Sequence, residues 1–237
     1  MKHILCAALI TCLAAATGWG SSFFGIELAN NVGQDTVFKY ATATEVAQID
    51  LDSGSSMGLY IGSEMALDFN LKLDLELGFH GGKYSLDSYL LDPVPGPPVT
   101  AQSGNSSLSY YSYVVMAGVR IKYDWQITDS ISLEPYIMAG MTPLYQYSPS
   151  QNLQNRLETD LGLAGESFTF DQSNIWALNY YGFGIDVDLT RAAVEYSGTS
   201  KYLFGISMRH FDRAITFDKQ VTDTNVNYLC LTATVLF

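Results

Sequence analysis

Charged residues recur at alternate positions in several segments of the sequence. Lys72, Asp74 and Glu76 do so in "LKLDLELGF", and Arg120 and Lys122 do so in "VRIKY". A β-strand sends alternate side chains to opposite faces, so each set would lie on one face of its strand. Side chains of both signs on one face can neutralise each other as ion pairs, or they can line a hydrated pore that selects ions.

Catalysis and metal binding have little support in the residue pattern. Outside the N-terminal segment the histidines are His80 and His210, and neither lies in a spacing typical of a catalytic set. Cys6 and Cys12 fall within a predicted export signal, which leaves Cys230 without a partner for a disulfide or a Cys/His metal cluster. We therefore predict no enzymatic activity, no metal and no cofactor.

Composition excludes further classes of protein. The 237 residues are 48% hydrophobic and 15% charged, and after the N-terminus no apolar run is long enough to cross a bilayer as a helix. The formal net charge is -12, and 12 Lys and Arg residues are scattered singly. Nucleic-acid phosphates require a clustered basic surface, so no nucleic-acid partner is expected.

The first residues predict export. "MKHILCAALITCLAAATGWGSS" has Lys2 and His3, then the apolar run 4–16, then small residues, which is the order of a secretory signal. We assign residues 1–20 to a signal peptide and residues 21–237 to a single mature domain.

Alternation of period two predicts an all-β mature domain. Its predicted strands, about eight in number, are 22–32, 56–68, 71–83, 108–123, 130–147, 173–188, 191–211 and 222–237. The connections alternate between long and short, and the short ones include "DFN", "DWQITDS" and "DLTR". Outer-membrane barrels have this asymmetry because their periplasmic turns are tight and their extracellular loops are free to lengthen.

One face of the predicted sheet is apolar and the other carries the charges. Leu73 and Leu75 exemplify the apolar face, which either lipid or a second sheet of a soluble sandwich would cover. Strand length favours lipid, since several strands exceed the usual five or six residues of soluble proteins. Tyrosine and tryptophan near strand ends also favour lipid, because such rings prefer the membrane interfaces. They are Tyr84, Tyr110, Tyr111, Tyr145, Tyr147, Tyr180 and Tyr202 on the long-loop side, and Tyr123 and Trp125 on the short-turn side.

The last segment, "NYLCLTATVLF", alternates apolar residues up to Phe237. It resembles the signal that the outer-membrane assembly machinery reads, and "YYGFGIDVDLTRAAVEYSG" is similar to a Gly-rich strand, turn and strand of such proteins. The mature chain thus resembles the small outer-membrane β-barrel superfamily that includes OmpA, OmpX and OmpW. The resemblance implies a closed antiparallel transmembrane β-barrel of about eight strands, with long extracellular loops exposed at the bacterial cell surface. It also implies that Phe237 is an assembly signal.

About eight strands leave an interior that side chains can fill. We interpret the charged face as a mutually satisfied network in this lumen, with a cation-selective pore as the alternative. The predicted network consists of Glu64, Lys72, Asp74, Glu76, Arg120, Lys122, Glu134, Asp186, Asp188 and Glu195. The less charged positions Tyr136, Met138 and Tyr180 suggest a small apolar pocket nearer the outside.

The predicted loops 33–55, 84–107, 148–172 and 212–221 are the other candidates for function, because loops on a rigid scaffold commonly bind ligands. In the third, Leu153, Leu157 and Leu161 recur every four residues after a possible cap, Ser150. This spacing predicts a short helix, whose leucines either pack on the barrel rim or gate a ligand.

Two functional hypotheses follow. The favoured one is an OmpW-like conduit that takes a small hydrophobic molecule into an outer pocket and releases it into the membrane. The alternative is a structural or adhesin-type barrel, similar to OmpX or OmpA, whose loops bind a host surface molecule. Under both hypotheses the expected partners are outer-membrane lipid and the assembly machinery.

Overall fold

The computed structural model of the chain describes residues 20–32, 36–41, 45–51, 54–93, 99–102, 108–129, 131–161, 165, 169–172, 178–189, 200–212, 214–217, 220–223 and 226–237. The predicted signal peptide lies almost wholly outside these residues. The strands that form the barrel are β1 (Ser21–Asn31), β4 (Ser55–Ala66), β5 (Leu71–Pro93), β7 (Ser109–Tyr123), β9 (Ser132–Pro149), β11 (Tyr180–Asp188), β12 (Lys201–Phe211) and β15 (Val226–Leu236).

Shorter elements complete the described secondary structure. They are β2 (Thr36–Ala41), β3 (Glu45–Leu51), β6 (Val99–Gln102), β8 (Trp125–Gln126), β10 (Phe170–Gln172), β13 (Ala214–Phe217), β14 (Gln220–Asp223) and the helix α1 (Gln151–Leu161). Within the described ranges, no helix has the length and apolar character needed to cross a membrane.

Eight of the described strands form a closed antiparallel barrel. Each pairs with the next along the chain, and β15 returns to β1 in a register that runs from Phe23↔Leu236 to Asn31↔Tyr228. Closure removes the free sheet edges that would otherwise expose unpaired backbone groups. The barrel predicted from alternation is confirmed.

Alternation of side chains explains the two surfaces of the wall. In β15, Tyr228 and Cys230 are buried while Leu229 and Leu231 are exposed. The other long strands also alternate buried and more exposed residues. The buried positions face the barrel interior, and the exposed apolar positions face outward.

The predicted strand ends differ from the observed ones on the long-loop side. Strand β5 continues to Pro93, ten residues beyond the predicted end at 83, while β11 begins at Tyr180 rather than at 173. Of the predicted strand 191–211, residues 191–199 lie outside the described residues.

Several segments predicted as loops contain β-structure. The β2–β3 hairpin and β6 pair with the outer part of β5, while β10 pairs with β9, β13 with β10 and β14 with β13. Strands that continue past the barrel have backbone groups that need partners, and these short strands supply them.

The turn between β4 and β5 shows why "DFN" connects two strands so tightly. Phe69 and Asn70 have φ angles of 62° and 60°, and the Leu71 amide donates to the Asp68 carbonyl over 3.3 Å. Positive φ at both central residues is the type I′ geometry, whose twist matches that of paired strands.

Strand β9 contains a bulge that alters which residues face the lumen. Val115 pairs with Leu144 and Ala117 with Met141, so β9 uses one residue more than β7 across this interval. The extra length falls at Thr142 and Pro143, and proline suits a bulge because it cannot donate to the ladder. Before the bulge the even-numbered residues of β9 face the lumen, and after it the odd-numbered ones do.

Candidate functional site

The candidate site is the barrel lumen, which every barrel strand lines with alternate residues. The half of the lumen next to the short turns is charged, whereas the half next to the long connections, here called the outer half, is aromatic. The two halves are described in turn.

Lys122 is at the centre of the charged half, and 3% of its side chain is exposed. Its Nζ lies 2.7 Å from Asp74 Oδ2, 3.4 Å from Asp186 Oδ2 and 3.5 Å from Glu64 Oε2. Glu134 Oε2 follows at 3.7 Å. A single cation thus draws together acids from four different strands.

Two further lysines surround this centre nearer the short turns. Lys72 Nζ lies 2.5 Å from Glu134 Oε1 and 2.6 Å from Asp124 Oδ2. Lys201 Nζ lies 2.5 Å from the same Glu134 oxygen and 3.4 Å from Asp188 Oδ2. Buried charges are tolerated when they are paired and hydrogen-bonded in this way.

Arg120 forms the next level of the lumen. Its guanidinium pairs with Glu76 and lies 5.0 Å from the ring centre of Tyr60 and 5.3 Å from that of Tyr136. The Tyr180 hydroxyl donates to Glu76 Oε1 over 3.2 Å. Cation–π contacts on two rings add to the ion pair, so the arginine is held on several sides.

Glu27, Arg209 and His80 form the level of the lumen above Arg120. Arg209 Nη2 donates to Glu27 Oε2 over 2.5 Å, and His80 Nε2 lies 3.5 Å from Glu27 Oε1. Arg209 Nη1 also lies 3.7 Å from Met116 Sδ. All four side chains are buried.

Aromatic side chains fill the outer half of the lumen. The hydroxyl of Tyr228 hydrogen-bonds with that of Tyr84 and, over 3.2 Å, with that of Tyr145, which reaches Tyr147 over 3.0 Å. Phe211 packs edge-on against Tyr228, with ring centres 5.4 Å apart. We call this set, with Tyr110 and Tyr180, the aromatic layer; each member is at most 5% exposed.

The helix α1 lies next to the aromatic layer. Leu153 and Leu157 are both 0% exposed and belong to the same buried cluster as those rings. Ser150 precedes the helix, and its Oγ accepts from the Leu153 amide over 3.4 Å and from the Ser109 amide over 3.3 Å. The predicted helix is confirmed, and its first two leucines pack inward.

Among the residues that the structure describes, little space separates the ion pairs from the aromatic layer. A cavity bounded by Glu27, Met116, Arg209, Tyr228 and Cys230 has a water-accessible volume of about 10 Å³. Roughly one water molecule fills such a space.

The structure brings most of the predicted charge network together. Glu64, Lys72, Asp74, Glu76, Arg120, Lys122, Glu134, Asp186 and Asp188 all take part in the ion pairs described above. Glu195 lies outside the described residues.

The predicted pocket residues lie inside the barrel, and each is at most 4% exposed. Tyr136 contacts Arg120, and the ring of Tyr180 occupies the space that side chains at Gly118 and Gly140 would need. Met138 is likewise buried. These side chains fill the volume in which a pocket was predicted.

Some members of the lumen were not singled out from the sequence. Glu27 and Arg209 were absent from the predicted network, and His80, which was weighed from the sequence only as a catalytic residue, is buried beside Glu27. The signal for His80 was its phase, which is that of Asp74 and Glu76 on the same strand.

The prediction of an interfacial aromatic belt was wrong for several tyrosines. Tyr84, Tyr110, Tyr145, Tyr147 and Tyr180 are at most 1% exposed and form the aromatic layer. Tyr111, Tyr123 and Trp125, which were predicted in the belt, are exposed, and so are Tyr113 and Tyr181. The wall continues beyond the bilayer, so a residue near a predicted strand end can still face the lumen.

The outer surface of the wall decides what surrounds the barrel. Its exposed side chains are large and apolar, among them Ile26, Leu59, Ile61, Phe79, Val119, Ile121, Ile137, Phe183, Phe204, Ile206 and Leu231. A closed barrel with charge inside, an apolar band outside and exposed rings near its ends is the transmembrane arrangement. The chain has the fold of a transmembrane β-barrel.

Comparison with solved structures finds outer-membrane proteins. OprG from Pseudomonas aeruginosa is similar to the chain with 12% identity and a TM-score of 0.42, over 92% of this chain and 95% of OprG. Ail of Yersinia pestis, in complex with the heparin analogue sucrose octasulfate, has 13% identity and a TM-score of 0.41, over 92% and 99%. The protease OmpT from Escherichia coli has 10% identity and a TM-score of 0.39, over 91% and 95%. No protein-family model matches the chain, and a search of curated proteins finds no match.

Proposed function

We propose that this barrel is closed to solutes and acts through its extracellular end, as a surface-exposed structural or adhesin-type protein. The observation that carries the proposal is the filling of the lumen by two successive layers, ion pairs below and aromatic rings above. The loops at the long-connection end would then be the part that meets a partner.

The lower layer supports closure because lysines fixed on the barrel wall hold its acids. Lys122 and Lys201 between them contact Glu64, Glu134 and three aspartates. A cation-selective pore needs acids that face mobile ions, and acids held by fixed lysines do not offer this. Removing one partner would leave a buried charge uncompensated, so the layer resists opening.

The upper layer supports closure from the other side. The hydroxyls of four tyrosines on three strands are joined by hydrogen bonds, and Phe211 packs among the rings; the tyrosines are Tyr84, Tyr145, Tyr147 and Tyr228. Rings with satisfied hydroxyls make a dense layer with few rotamers, since each has only two side-chain torsions.

The extracellular end is suited to binding because it is braced by secondary structure. Strand β5 runs 23 residues and β9 runs 18, well beyond the crossing length of about ten. Short strands pair with both, and α1 packs against the aromatic layer. Loops on a rigid scaffold lose less conformational freedom on binding.

The conduit hypothesis would require an apolar pocket open to the outside. Tyr136, Met138 and Tyr180 were its basis in the sequence, and all three are packed against lumen neighbours or buried among them. A conduit would therefore have to displace the aromatic layer, and closure is favoured.

Single-channel recording tests closure directly. The wild-type protein in a planar bilayer is expected to show no stable conductance steps. A variant with Tyr84→Ala, Tyr145→Ala, Arg120→Ser and Glu76→Ser, which thins both layers, is expected to conduct. Stable steps from the wild type that are insensitive to these changes would overturn the proposal.

Surface binding is tested in a bacterium with an outer membrane. Replacing residues 36–51, the β2–β3 hairpin, by a short Gly/Asn turn spares the barrel wall, so heat-modifiable mobility on gels should be kept. Wild-type cells are expected to bind immobilised extracellular-matrix proteins more than cells with the shortened chain or an empty vector. Equal binding by all three would count against an adhesin-type role for this hairpin.

A further inference from the structure

A notch interrupts the apolar outer wall on the side formed by β1, β4, β5 and β7. The strand registers place Leu28, Met57, Gly81 and Tyr113 side by side in one outward-facing row. No heavy atom lies within 4 Å of the point where a side chain at Gly81 would begin. The groove along this wall has a water-accessible volume of about 580 Å³, with Met57 and Tyr113 on either side of the glycine.

The side chain of Lys83 lies directly above the notch. The next outward-facing row consists of Asn30, Ser55, Lys83 and Tyr111, again as neighbours across the same strands. Lys83 is exposed, and Tyr111 is 39% exposed. The row below the notch, with Leu59 and Phe79, is apolar, so the wall changes from apolar to polar over two rows.

The height of Lys83 matches the outer membrane interface. Ten residues separate it from Leu73 near the periplasmic turn, which is roughly 33 Å along a strand. At a tilt of about 40° this becomes roughly 25 Å along the barrel axis, the height of the apolar band. Lys83 is therefore level with lipid headgroups, and the Gly81 notch is level with the first part of the acyl chains.

We propose that this groove binds an acylated lipid of the outer leaflet that carries phosphate on its headgroup. An acyl chain lies in the Gly81 notch between Met57 and Tyr113, while the phosphate pairs with Lys83 beside Tyr111. A long ammonium side chain with an apolar stem and an amphipathic ring is well suited to this boundary. The inference depends on the membrane location and goes beyond the proposed surface function.

The groove is a poor interface for a second copy of the chain. A two-fold dimer would place the same patch on both partners, so the two Lys83 side chains would approach each other. Like charges at such a contact are unfavourable, whereas an anionic headgroup complements the lysine.

Lipid retention tests the site. The full-length barrel is placed in nanodiscs of neutral phosphatidylcholine with a minor fraction of either diphosphorylated lipid A or the same lipid A without phosphates. After gentle detergent extraction, native mass spectrometry counts retained lipid A. The wild type is expected to retain the phosphorylated form preferentially, and Lys83→Gln to reduce this retention about tenfold.

Filling the notch tests the acyl part separately. Gly81→Leu keeps Lys83 but occupies the groove, and it should reduce retention of both forms of lipid A by about the same factor. Ala233→Leu adds similar bulk to the outer face of β15, outside the groove, and Arg156→Gln removes a different exposed cation; both should retain lipid like the wild type. All variants are first checked for barrel folding by heat-modifiable mobility.

Unchanged retention in both Lys83→Gln and Gly81→Leu overturns the proposal, as does equal retention of the two lipid forms by the wild type. A lipid-free dimer of the wild type that Gly81→Leu separates into monomers also overturns it, because the occupant would then be a second copy.

Discussion

Asn179 and Thr142 hold each other through two hydrogen bonds at the bulge of β9. The Thr142 amide donates to Asn179 Oδ1 over 2.8 Å, and Asn179 Nδ2 donates to Thr142 Oγ1 over 2.7 Å. The bulge leaves the Thr142 amide without a ladder partner, and Asn179 replaces that partner. Because the bulge reverses the phase of β9, the pair also determines that Tyr145 and Tyr147 face the lumen.

Asn179→Ala should destabilise the barrel by about 1–3 kcal/mol, since it leaves a buried backbone amide without an acceptor. The measurement is urea unfolding of the protein in lipid vesicles. Thr142→Ser keeps both hydrogen bonds and should change stability by less than about 1 kcal/mol. Equal effects of the two substitutions would show that Asn179 does not support the bulge.

In β9, alternation in the sequence predicts which residues face the lumen only as far as the bulge. Alternation correctly placed Lys122 and Glu134 inside, because their strands keep one phase up to that point. Tyr145 and Tyr147 were predicted at the membrane interface because they lie near a strand end, and alternation continued through Pro143 without a shift would also place them outside. Proline inside a strand pattern was the available signal for a bulge.

Contacts inside the lumen depend on strand register, which alternation does not specify. The sequence predicted that Lys122 and Asp186 share a face, but only the pairing of β5, β7, β9 and β11 brings them to 3.4 Å. In the same way, the partnership of Glu27 with Arg209 depends on barrel closure between strands that are 182 residues apart. Long-range pairing of this kind leaves no local trace in the chain.

Lys122→Met should be the most damaging change in the charged half of the lumen. It removes the cation shared by Asp74, Glu64, Asp186 and Glu134, and breaking a buried ion pair costs about 3–5 kcal/mol. The free energy of unfolding in urea measures this loss. As a control, Arg156→Gln removes a pair with Asp160 whose arginine is 52% exposed, and its effect should stay below about 0.5 kcal/mol. Comparable losses would contradict a central role for Lys122.

Two glycine substitutions separate packing inside the barrel from open space outside it. Gly140→Ala would bring a methyl group against the Tyr180 ring and the Ala117 carbonyl, so it should cost about 1–3 kcal/mol. Gly81→Ala meets no neighbour and should stay within about 0.5 kcal/mol of the wild type. Thermal unfolding in detergent compares them, and the packing described for Tyr180 is wrong if Gly140→Ala is tolerated equally well.

Arginine substitutions test the position of the bilayer. Ile137 lies on the outer face of β9 and is 63% exposed, so Ile137→Arg should cost about 2–4 kcal/mol when lipid surrounds that face. Ile127, in the turn before β9, is 48% exposed, and Ile127→Arg should cost at most about 1 kcal/mol. Unfolding from vesicles measures both. A soluble protein would accept either arginine on its surface, so two small effects would argue against lipid on the Ile137 face.

Phe237→Ala tests the proposed assembly signal. The Phe237 amide donates to the Ser22 carbonyl over 2.9 Å and the Ser22 amide returns a hydrogen bond of 3.1 Å, so the seam between β1 and β15 is joined by backbone that the substitution keeps. The side chain itself is 68% exposed and adds little packing. We therefore expect stability after insertion to be almost unchanged while insertion itself slows, because the assembly machinery would read the ring.

Pulse-chase fractionation of a bacterium with an outer membrane measures the rate of insertion of Phe237→Ala, and Leu229→Ala on the same outward face is the control. If Phe237→Ala and Leu229→Ala reach the membrane as fast as the wild type, the ring at position 237 is not an assembly signal.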